Sequence, residues 1–210
     1  MATKLTIDNK NVFTDYGVIL VKSTGELDYL KYKKPYSHKW DDEHGEEVDL
    51  SERFFDSRKI VLDCLIKATS KSDFRAKMKN FWEFLSAPGL RMMLLPELPF
   101  AYMVYPKGGA KIEKLTKWND TLMYGRVKIT FEDPEPVSRQ FTTDQDPLAQ
   151  VQIQLTGTKV YTIYWGDGDI DTIGPGTDVS KTHDYSQTGD YQIVLTGDID
   201  TITSLTPTNA

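Results

Sequence analysis

Short segments in which apolar and polar residues alternate recur along the chain, and they restrict the possible fold more than any other feature of the sequence. Alternation with a period of two is typical of β-strands buried on one face, and turn residues such as Gly and Pro separate these segments. Antiparallel sheets are built from short strands of this kind. We therefore predict a mainly β protein with strands at residues 18–21, 59–67, 92–95, 101–105, 111–115, 123–131, 151–155, 160–165, 191–195 and 199–205.

Residues 72–86 have the period of a helix. Their large apolar side chains recur at spacings of four, three and four. These spacings place one stripe of side chains along the helix: Phe74, Met78, Phe81 and Leu85. We expect Ser72 to be the N-cap, Asp73 to face the positive end of the helix, and residues 87–89 to end it. Such a stripe most often packs in a core, and an aromatic ligand-binding site is the alternative.

Composition and charge change near residue 137. Residues 1–137 carry 22 Lys and Arg against 21 Asp and Glu, whereas residues 138–210 carry 3 against 10. The sequence FEDPEP at 131–136 has two prolines in three residues, which favour an extended linker. We predict a first domain at residues 1–137, a linker at 138–147 and a second domain at 148–210.

The overall charge and the single cysteine narrow the function classes. A net charge of −6 argues against a protein that coats nucleic acid. Cys64 cannot form a disulfide within the chain, and residues 1–10 lack the apolar core of a signal peptide, so we expect an intracellular product. Cys64 also lies on the apolar face of a predicted strand, and the sequence contains no nucleophile motif, so we expect no enzymatic activity, cofactor or metal.

The order of elements in the first domain resembles that of the distal tail proteins of long-tailed phages. The strand KIVLDCLIKATS runs into SDFRAKMKNFWEFLSAPGLRMML, followed by FAYMVYPKGGAKIEKL and a closing strand before FEDPEP. The resemblance covers residues 12–135. It implies a β-sandwich-like belt domain with one packed α-helix, in a structural baseplate protein of a phage or prophage virion.

The same resemblance implies a set of partners. Distal tail proteins assemble as hexameric rings that join the tail tube to the tail hub and to the host-recognition fibres, and the ring leaves a channel through which DNA passes. The chain would be made in the bacterial host cytoplasm and located in the tail tip, with no membrane contact. These properties are expectations from the resemblance and do not follow from composition or spacing.

Residues 148–205 resemble the PKD-type immunoglobulin-like modules. The motif of these modules is a W-G-D-G turn followed by H-x-Y and G-x-Y, and the matching positions here are Trp165, Gly166, Asp167, Gly168, His183, Tyr185, Gly189 and Tyr191. The resemblance implies a small, non-enzymatic β-sandwich that acts as a spacer or adhesion domain. At this length we expect a minimal sandwich with fewer than seven strands, or one that a partner continues, and we expect His183 to be packed or hydrogen-bonded.

The segment at residues 30–40 places Tyr32, Tyr36 and Trp40 among four lysines. Aromatic rings among lysines can hold single-stranded nucleic acid. However, an acidic segment follows at once, and it cancels the positive field within a Debye length of about 10 Å. Because Tyr and Trp are common interface anchors, we favour a subunit-contact arm.

Two acidic segments suggest metal sites. Residues 38–47 contain two histidines and five carboxylates, which could serve a metal-dependent hydrolase, but a solvated charged loop is the simpler interpretation. The sequence YWGDGDID at 164–171 resembles the start of a calcium loop, yet it lacks the late bidentate glutamate of such a loop. We interpret it as a tight turn.

The alternative to a tail-tip protein is a monomeric surface or carbohydrate-binding adhesion module.

Overall fold

The computed structural model describes residues 5–42, 44–52, 54–96, 98–116 and 122–209. Antiparallel strands make up about half of these residues, and the long helix spans Lys71–Leu85. The mainly β, sandwich-like fold with one packed helix is therefore confirmed. No helix within these ranges is long and apolar enough to cross a membrane.

The N-terminal sheet contains eight strands. A short helix, α1 (Val12–Tyr16), precedes its third strand along the chain, and the long helix, α2, follows its fourth. Its strand order is β2-β1-β7-β8-β10-β6-β3, with β9 also paired to β10, and β4 and β5 form a separate two-stranded ladder. The strands are β1 (Thr6–Ile7), β2 (Lys10–Asn11), β3 (Val18–Thr24), β4 (Ser37–His38), β5 (Glu47–Val48), β6 (Arg58–Ala68), β7 (Arg91–Leu94), β8 (Ala101–Pro106), β9 (Lys111–Lys114) and β10 (Met123–Asp133).

The core of this sheet forms where α2 packs on β6. The predicted apolar face of β6 is fully buried: Ile60, Leu62, Cys64 and Ile66. From α2, the buried side chains are Phe74, Phe81 and Leu85, with Met78 partly buried beside them. The predicted helical stripe is thus a core stripe. The predicted N-cap was wrong, because Ser70 and not Ser72 is extended and accepts a hydrogen bond from Asp73 N, at 3.1 Å.

The C-terminal sandwich consists of seven strands in two sheets, more than its length led us to expect. The four-stranded sheet has the order β11-β16-β13-β14, and the three-stranded sheet has the order β15-β12-β17. Apolar side chains from both sheets share one core that includes Ile153, Ile163 and Leu195. The strands are β11 (Arg139–Asp144), β12 (Gln150–Gly157), β13 (Tyr161–Tyr164), β14 (Ile170–Ile173), β15 (Gly176–Asp184), β16 (Asp190–Gly197) and β17 (Ile202–Thr208).

Residues 138–147, predicted as a linker, contain strand β11. It pairs with β16 at six positions from Arg139 to Asp144, so this part of the segment belongs to the sandwich. The chain passes from β10 to β11 through only five residues, two of which are prolines. The transition between the two sheets is therefore short.

Direct contacts join the C-terminal sandwich to the N-terminal sheet. The side-chain amide of Gln140 donates to Ala101 O (2.8 Å) and accepts from Ala101 N (2.9 Å), as a neighbouring strand would. Met92 and Met103 pack against Val194 in a small apolar cluster, and the side chain of Asn9 donates to the backbone oxygen of Gly166. Because polar and apolar contacts occur together, the two parts have a defined relative orientation.

Candidate functional site

Four aromatic rings form a continuous stack beside the turn that follows β13. The ring of Trp165 is fully buried and lies parallel to that of His183, at 4.9 Å. His183 meets the ring of Tyr185 edge-on at 4.7 Å, and Tyr185 stacks on Tyr191 at 4.1 Å. The structure thus brings together residues from three separate segments of the predicted PKD-like motif.

Hydrogen bonds hold the polar ends of this stack. The Tyr185 hydroxyl donates to the backbone oxygen of Trp165 at 2.7 Å, and burial raises the pKa of Tyr185. The indole N–H of Trp165 donates to Asp171 Oδ2 at 3.0 Å, and Lys181 Nζ lies 3.1 Å from Asp171 Oδ1. Hydrogen bonds from Lys181 and Trp165 lower the pKa of Asp171. The PKD-like motif includes neither Asp171 nor Lys181, although Asp171 lies in the segment 164–171 that resembles a calcium loop.

The turn itself requires glycine at position 166. Gly166 has φ of 92°, and a Cβ there would lie 2.5 Å from the backbone oxygen of Gln192 on β16. The next residue, Asp167, accepts a hydrogen bond from Asp169 N at 3.1 Å, and Trp165 N donates to Asp169 O at 3.1 Å. These bonds form the tight turn that the sequence predicted.

Replacing the two glycines of this turn should separate backbone strain from steric overlap. Gly168 has φ of 110°, but a Cβ there meets no atom within 4 Å. We expect Gly168→Ala to lower the free energy of unfolding by about 1 to 2 kcal/mol through strain alone. Gly166→Ala should cost about 2 kcal/mol more, because it also overlaps the β16 backbone. Urea denaturation of both variants measures the difference, and equal losses would contradict the close packing of turn and strand.

Asp167, Asp169 and His183 are the group of possible metal ligands that the described residues bring together. One ligand atom of each lies within 4.8 Å of the others. Imidazole with two carboxylates suits zinc or a related transition metal better than calcium. However, His183 Nε2 already lies 2.7 Å from Asp167 Oδ2, so the imidazole and one carboxylate satisfy each other. This contact attaches the turn to β15 and accounts for the position of His183.

Residues 25–57, which connect β3 to β6, form an arm that carries the other predicted residues. Its two sides pair through β4 and β5, and the backbone N–H of Lys33 donates to Phe54 O at 2.8 Å. Tyr32 stacks on Phe55 at 4.8 Å. The indole N–H of Trp40 donates to Glu47 Oε2 at 2.9 Å. The predicted charged loop, residues 38–47, pairs only at its ends, where His38 lies opposite Glu47, and Glu43 lies outside the described residues.

The arm carries many of the exposed large hydrophobic side chains. Of the described residues, 18 large hydrophobic side chains are exposed, and eight belong to this arm of 33 residues. The predicted contact residues Tyr32, Tyr36 and Trp40 are 54%, 77% and 50% exposed. Surface patches of this kind are typical of protein contacts. Within residues 38–47, the described side chains form no group of three metal ligands.

Cys64 lies in the core and is unsuited to nucleophilic chemistry. Its side chain is fully buried on β6, and burial together with the charge of Asp63 raises the pKa of the thiol to about 12. A cysteine of this kind is protonated at neutral pH and acts as a small apolar residue.

Comparison with known proteins identifies a similar fold but no family. No family model matches the chain, and no curated protein matches it. Among solved structures, the fold is similar to that of SPP1 Dit, described as a paradigm of the hub adsorption apparatus in phages that infect Gram-positive bacteria. The TM-score is 0.52 at 11% identity, and the alignment covers 93% of this chain and 98% of that chain. The likeness therefore includes both the N-terminal sheet and the C-terminal sandwich, and at this identity it is one of fold.

Proposed function

We propose that this chain is a structural protein of a phage tail tip. The observation that supports this most is the likeness of fold to SPP1 Dit, which extends over nearly the whole of both chains. The order of elements in residues 12–135 also resembles that of distal tail proteins. Both observations concern the fold, and fold alone does not carry function, so assembly of the purified chain is the test.

In this proposal the two parts of the chain have different tasks. Residues 1–137 build a ring that joins the tail tube to the tail hub, and the C-terminal sandwich, including the PKD-like motif, faces outward as a spacer. The contacts of Gln140 with Ala101 and of Val194 with Met103 favour a fixed angle between the two parts. A fixed angle would suit a part that positions other tail proteins around a ring.

The arm is the surface that we assign to contact between subunits. Residues 30–40 carry four lysines and no acidic residue, whereas residues 41–56 carry eight acidic residues and one arginine. The arm therefore has a basic side and an acidic side. If subunits contact one another head to tail, the basic side of one arm can face the acidic side of the next, and rotation around an axis then closes a ring. The exposed aromatic rings would supply the buried centre of that contact.

The oligomeric state of the purified chain tests this function. We expect particles of ring shape in negative-stain electron microscopy and a mass close to six chains in light scattering. High salt should reduce the fraction of rings, because the proposed contact pairs opposite charges. A chain that stays monomeric at all concentrations tested would exclude the ring, and the monomeric adhesion module would then be the better hypothesis.

Removing the aromatic side chains of the arm should abolish assembly. We expect the triple variant Tyr32→Ser, Tyr36→Ser and Trp40→Ser to weaken association by more than about 100-fold, since anchor residues at an interface contribute about 2 kcal/mol or more each. Analytical ultracentrifugation measures the shift to monomers. The matched control, Val160→Ser with Ile170→Ser, removes side chains that are 60% and 56% exposed on the C-terminal sandwich. Equal assembly of both variants would show that the arm is not the subunit contact.

A further inference from the structure

The face of the N-terminal sheet that points away from α2 carries an excess of positive charge. Successive side chains of a strand point to opposite faces, so the buried residues of β6 and β10 mark the core face and the residues between them mark the outward face. Over β3, β6, β9 and β10, the outward face has three acidic residues against six basic ones: Lys22, Lys59, Lys67, Lys111, Arg126 and Lys128. This excess is opposite in sign to the net charge of the chain, which is −6.

Three of these lysines lie side by side across the sheet, and we call Lys22, Lys128 and Lys111 the basic row. Lys22 of β3 and Lys128 of β10 both lie opposite Asp63, on either side of β6. Lys111 of β9 lies opposite Lys128. All three lysines are exposed. Because neighbouring strands are about 4.8 Å apart, the row extends over about 14 Å.

The acidic residues near the basic row are too few to balance its charge. Arg126 already binds Asp63 through two hydrogen bonds, one of them from Nε to Oδ1 at 2.8 Å. The hydrogen bond from Arg126, with the nearby charges of Lys128 and Lys22, lowers the pKa of Asp63. Glu113 lies opposite Arg126 on β9. Within the described part of the chain, no lysine of the basic row forms a salt bridge.

Lys128 and Lys111 are a pair of like charges directly opposite each other in the sheet. The Cβ atoms of such a pair lie about 5 Å apart, and the repulsion between the two side chains destabilises the pairing. An anion between the two ammonium groups would offset that repulsion. This pair therefore indicates a negatively charged partner, separately from the overall excess of charge on the face.

The composition of the face favours a phosphate backbone over a protein surface as this partner. Lysine is depleted at protein interfaces, whose centre is apolar. Among the described residues of β3, β6 and β10, only Val21 is an exposed large hydrophobic side chain, whereas the arm has eight. Ile112 of β9 is exposed but lies opposite Val127, on the other face. Duplex DNA presents one charge per about 3.4 Å of each strand, so about four phosphates of one strand extend along the row.

We propose that the basic row binds the phosphate backbone of double-stranded DNA. Each lysine pairs with a phosphate oxygen, while Arg126 keeps its hydrogen bonds to Asp63. The row has no aromatic ring on which the bases of a single strand could stack, and contacts to phosphates alone are independent of sequence. Contacts of this kind let DNA slide along the protein. The proposal rests on this face alone and holds whether or not the chain forms a ring.

The net charge of the chain is compatible with such a local contact. Residues 138–210 carry 3 basic against 10 acidic residues, whereas residues 1–137 carry 22 against 21. The negative charge is therefore concentrated in the C-terminal sandwich, and the N-terminal sheet belongs to a nearly neutral part of the chain. Coating of long nucleic acid is still disfavoured, and the expected binding is weak and dependent on salt.

Fluorescence anisotropy of a labelled duplex of about 20 base pairs, titrated with the full chain, tests this site. We expect a Kd of about 100 µM or tighter at about 50 mM salt. Three phosphate contacts give a slope of about −2.7 for log K against log salt, so the affinity should fall about 20-fold when the salt is tripled. The triple variant Lys22→Gln, Lys111→Gln and Lys128→Gln should bind at least about 10-fold more weakly and lose most of this salt dependence.

The matched control is the triple variant Lys71→Gln, Lys79→Gln and Lys159→Gln. It removes the same charge from exposed lysines outside the row, two on α2 and one between β12 and β13, and should leave the Kd within about twofold. Circular dichroism shows whether each variant is folded. If the triple row variant does not fold, the single variants Lys22→Gln and Lys128→Gln carry the test, and each should reduce the slope by about 0.9.

A parallel titration with labelled poly-aspartate distinguishes DNA from an acidic protein. Four results would overturn the proposal: the duplex does not bind at about 50 mM salt, the row variant binds it as tightly as the original chain does, the two triple variants lose equal affinity, or poly-aspartate binds the row more tightly than the duplex does. In the last case, the partner of this face is an acidic protein surface.

Discussion

Replacing Trp165 by alanine is expected to lower the free energy of unfolding by about 4 kcal/mol. Trp165 is the largest fully buried side chain among the described residues, and removal of a buried Trp or Phe side chain costs about 3 to 5 kcal/mol. The loss has three physical parts. A cavity opens between the two sheets of the sandwich, His183 loses the ring on which it stacks, and Asp171 loses the hydrogen bond from the indole N–H.

Circular dichroism during urea denaturation measures this loss without relying on tryptophan fluorescence. Trp40→Ala is the matched control, because the same side chain is half exposed on the arm and should cost less than about 1 kcal/mol. Trp165→Phe should have an intermediate effect, since it keeps an aromatic ring but removes the N–H. If Trp165→Ala and Trp40→Ala cost the same, the stack does not stabilise the sandwich, and the motif has another role.

The features that the sequence predicted correctly are those with a strong local period. The apolar face of β6 and the stripe of α2 were both assigned correctly, because strict alternation and helical spacing decide which side chains can be buried together. The N-cap differed by two residues. Ser70 and Ser72 are both good caps, and only the backbone conformation of Ser70 distinguishes them.

The strands that the sequence did not predict lack an apolar period. In β15, the segment TDVSKTHD is polar and mostly exposed or half-buried, and it forms a strand because it pairs with β12 over its length. The sequence did not predict β11 for the same reason, because its segment RQFTTD lacks an apolar period and comes soon after the two prolines of FEDPEP. Strand propensity depends strongly on such tertiary context, so pairing partners that are distant in sequence decide these elements.

The candidate sites likewise combine a motif that the sequence showed with contacts that it did not predict. The motif around Trp165 was visible in the sequence, but the contact of His183 with Asp167 joins residues that are 16 positions apart and depends on the packing of β15. Asp133 and Arg58 are separated by 75 positions and become neighbours only through the register of β10 with β6. No local pattern encodes that register, so this pair of neighbours could not be predicted.

Asp133→Asn is expected to stabilise the protein at neutral pH, and its effect should depend on pH. Asp133 is buried, only 4% exposed, and burial raises the pKa of its carboxyl group from 3.8 to about 6 despite the nearby positive charge of Arg58. Between these two pKa values the native state binds more protons than the unfolded state, so the stability of the original chain falls as pH rises through this window. A change of about two units corresponds to at most about 3 kcal/mol.

The neutral asparagine removes this pH dependence. The difference in unfolding free energy between Asp133→Asn and the original chain should therefore rise in favour of the variant between pH 4 and pH 7, and then stay constant.

The adjacent residue, Glu132, provides a control of opposite sign. Contacts with Lys107 and Ser57 lower the pKa of Glu132, so its stabilising effect is present at neutral pH and is lost as the pH falls through that lowered pKa. Glu132→Gln should accordingly destabilise the protein at pH 7 and have little effect in acid. Urea denaturation at pH 4, 5, 6 and 7 compares the two variants, and a difference for Asp133→Asn that does not change with pH would mean that this carboxyl group is ionised as readily in the folded chain as in the unfolded one.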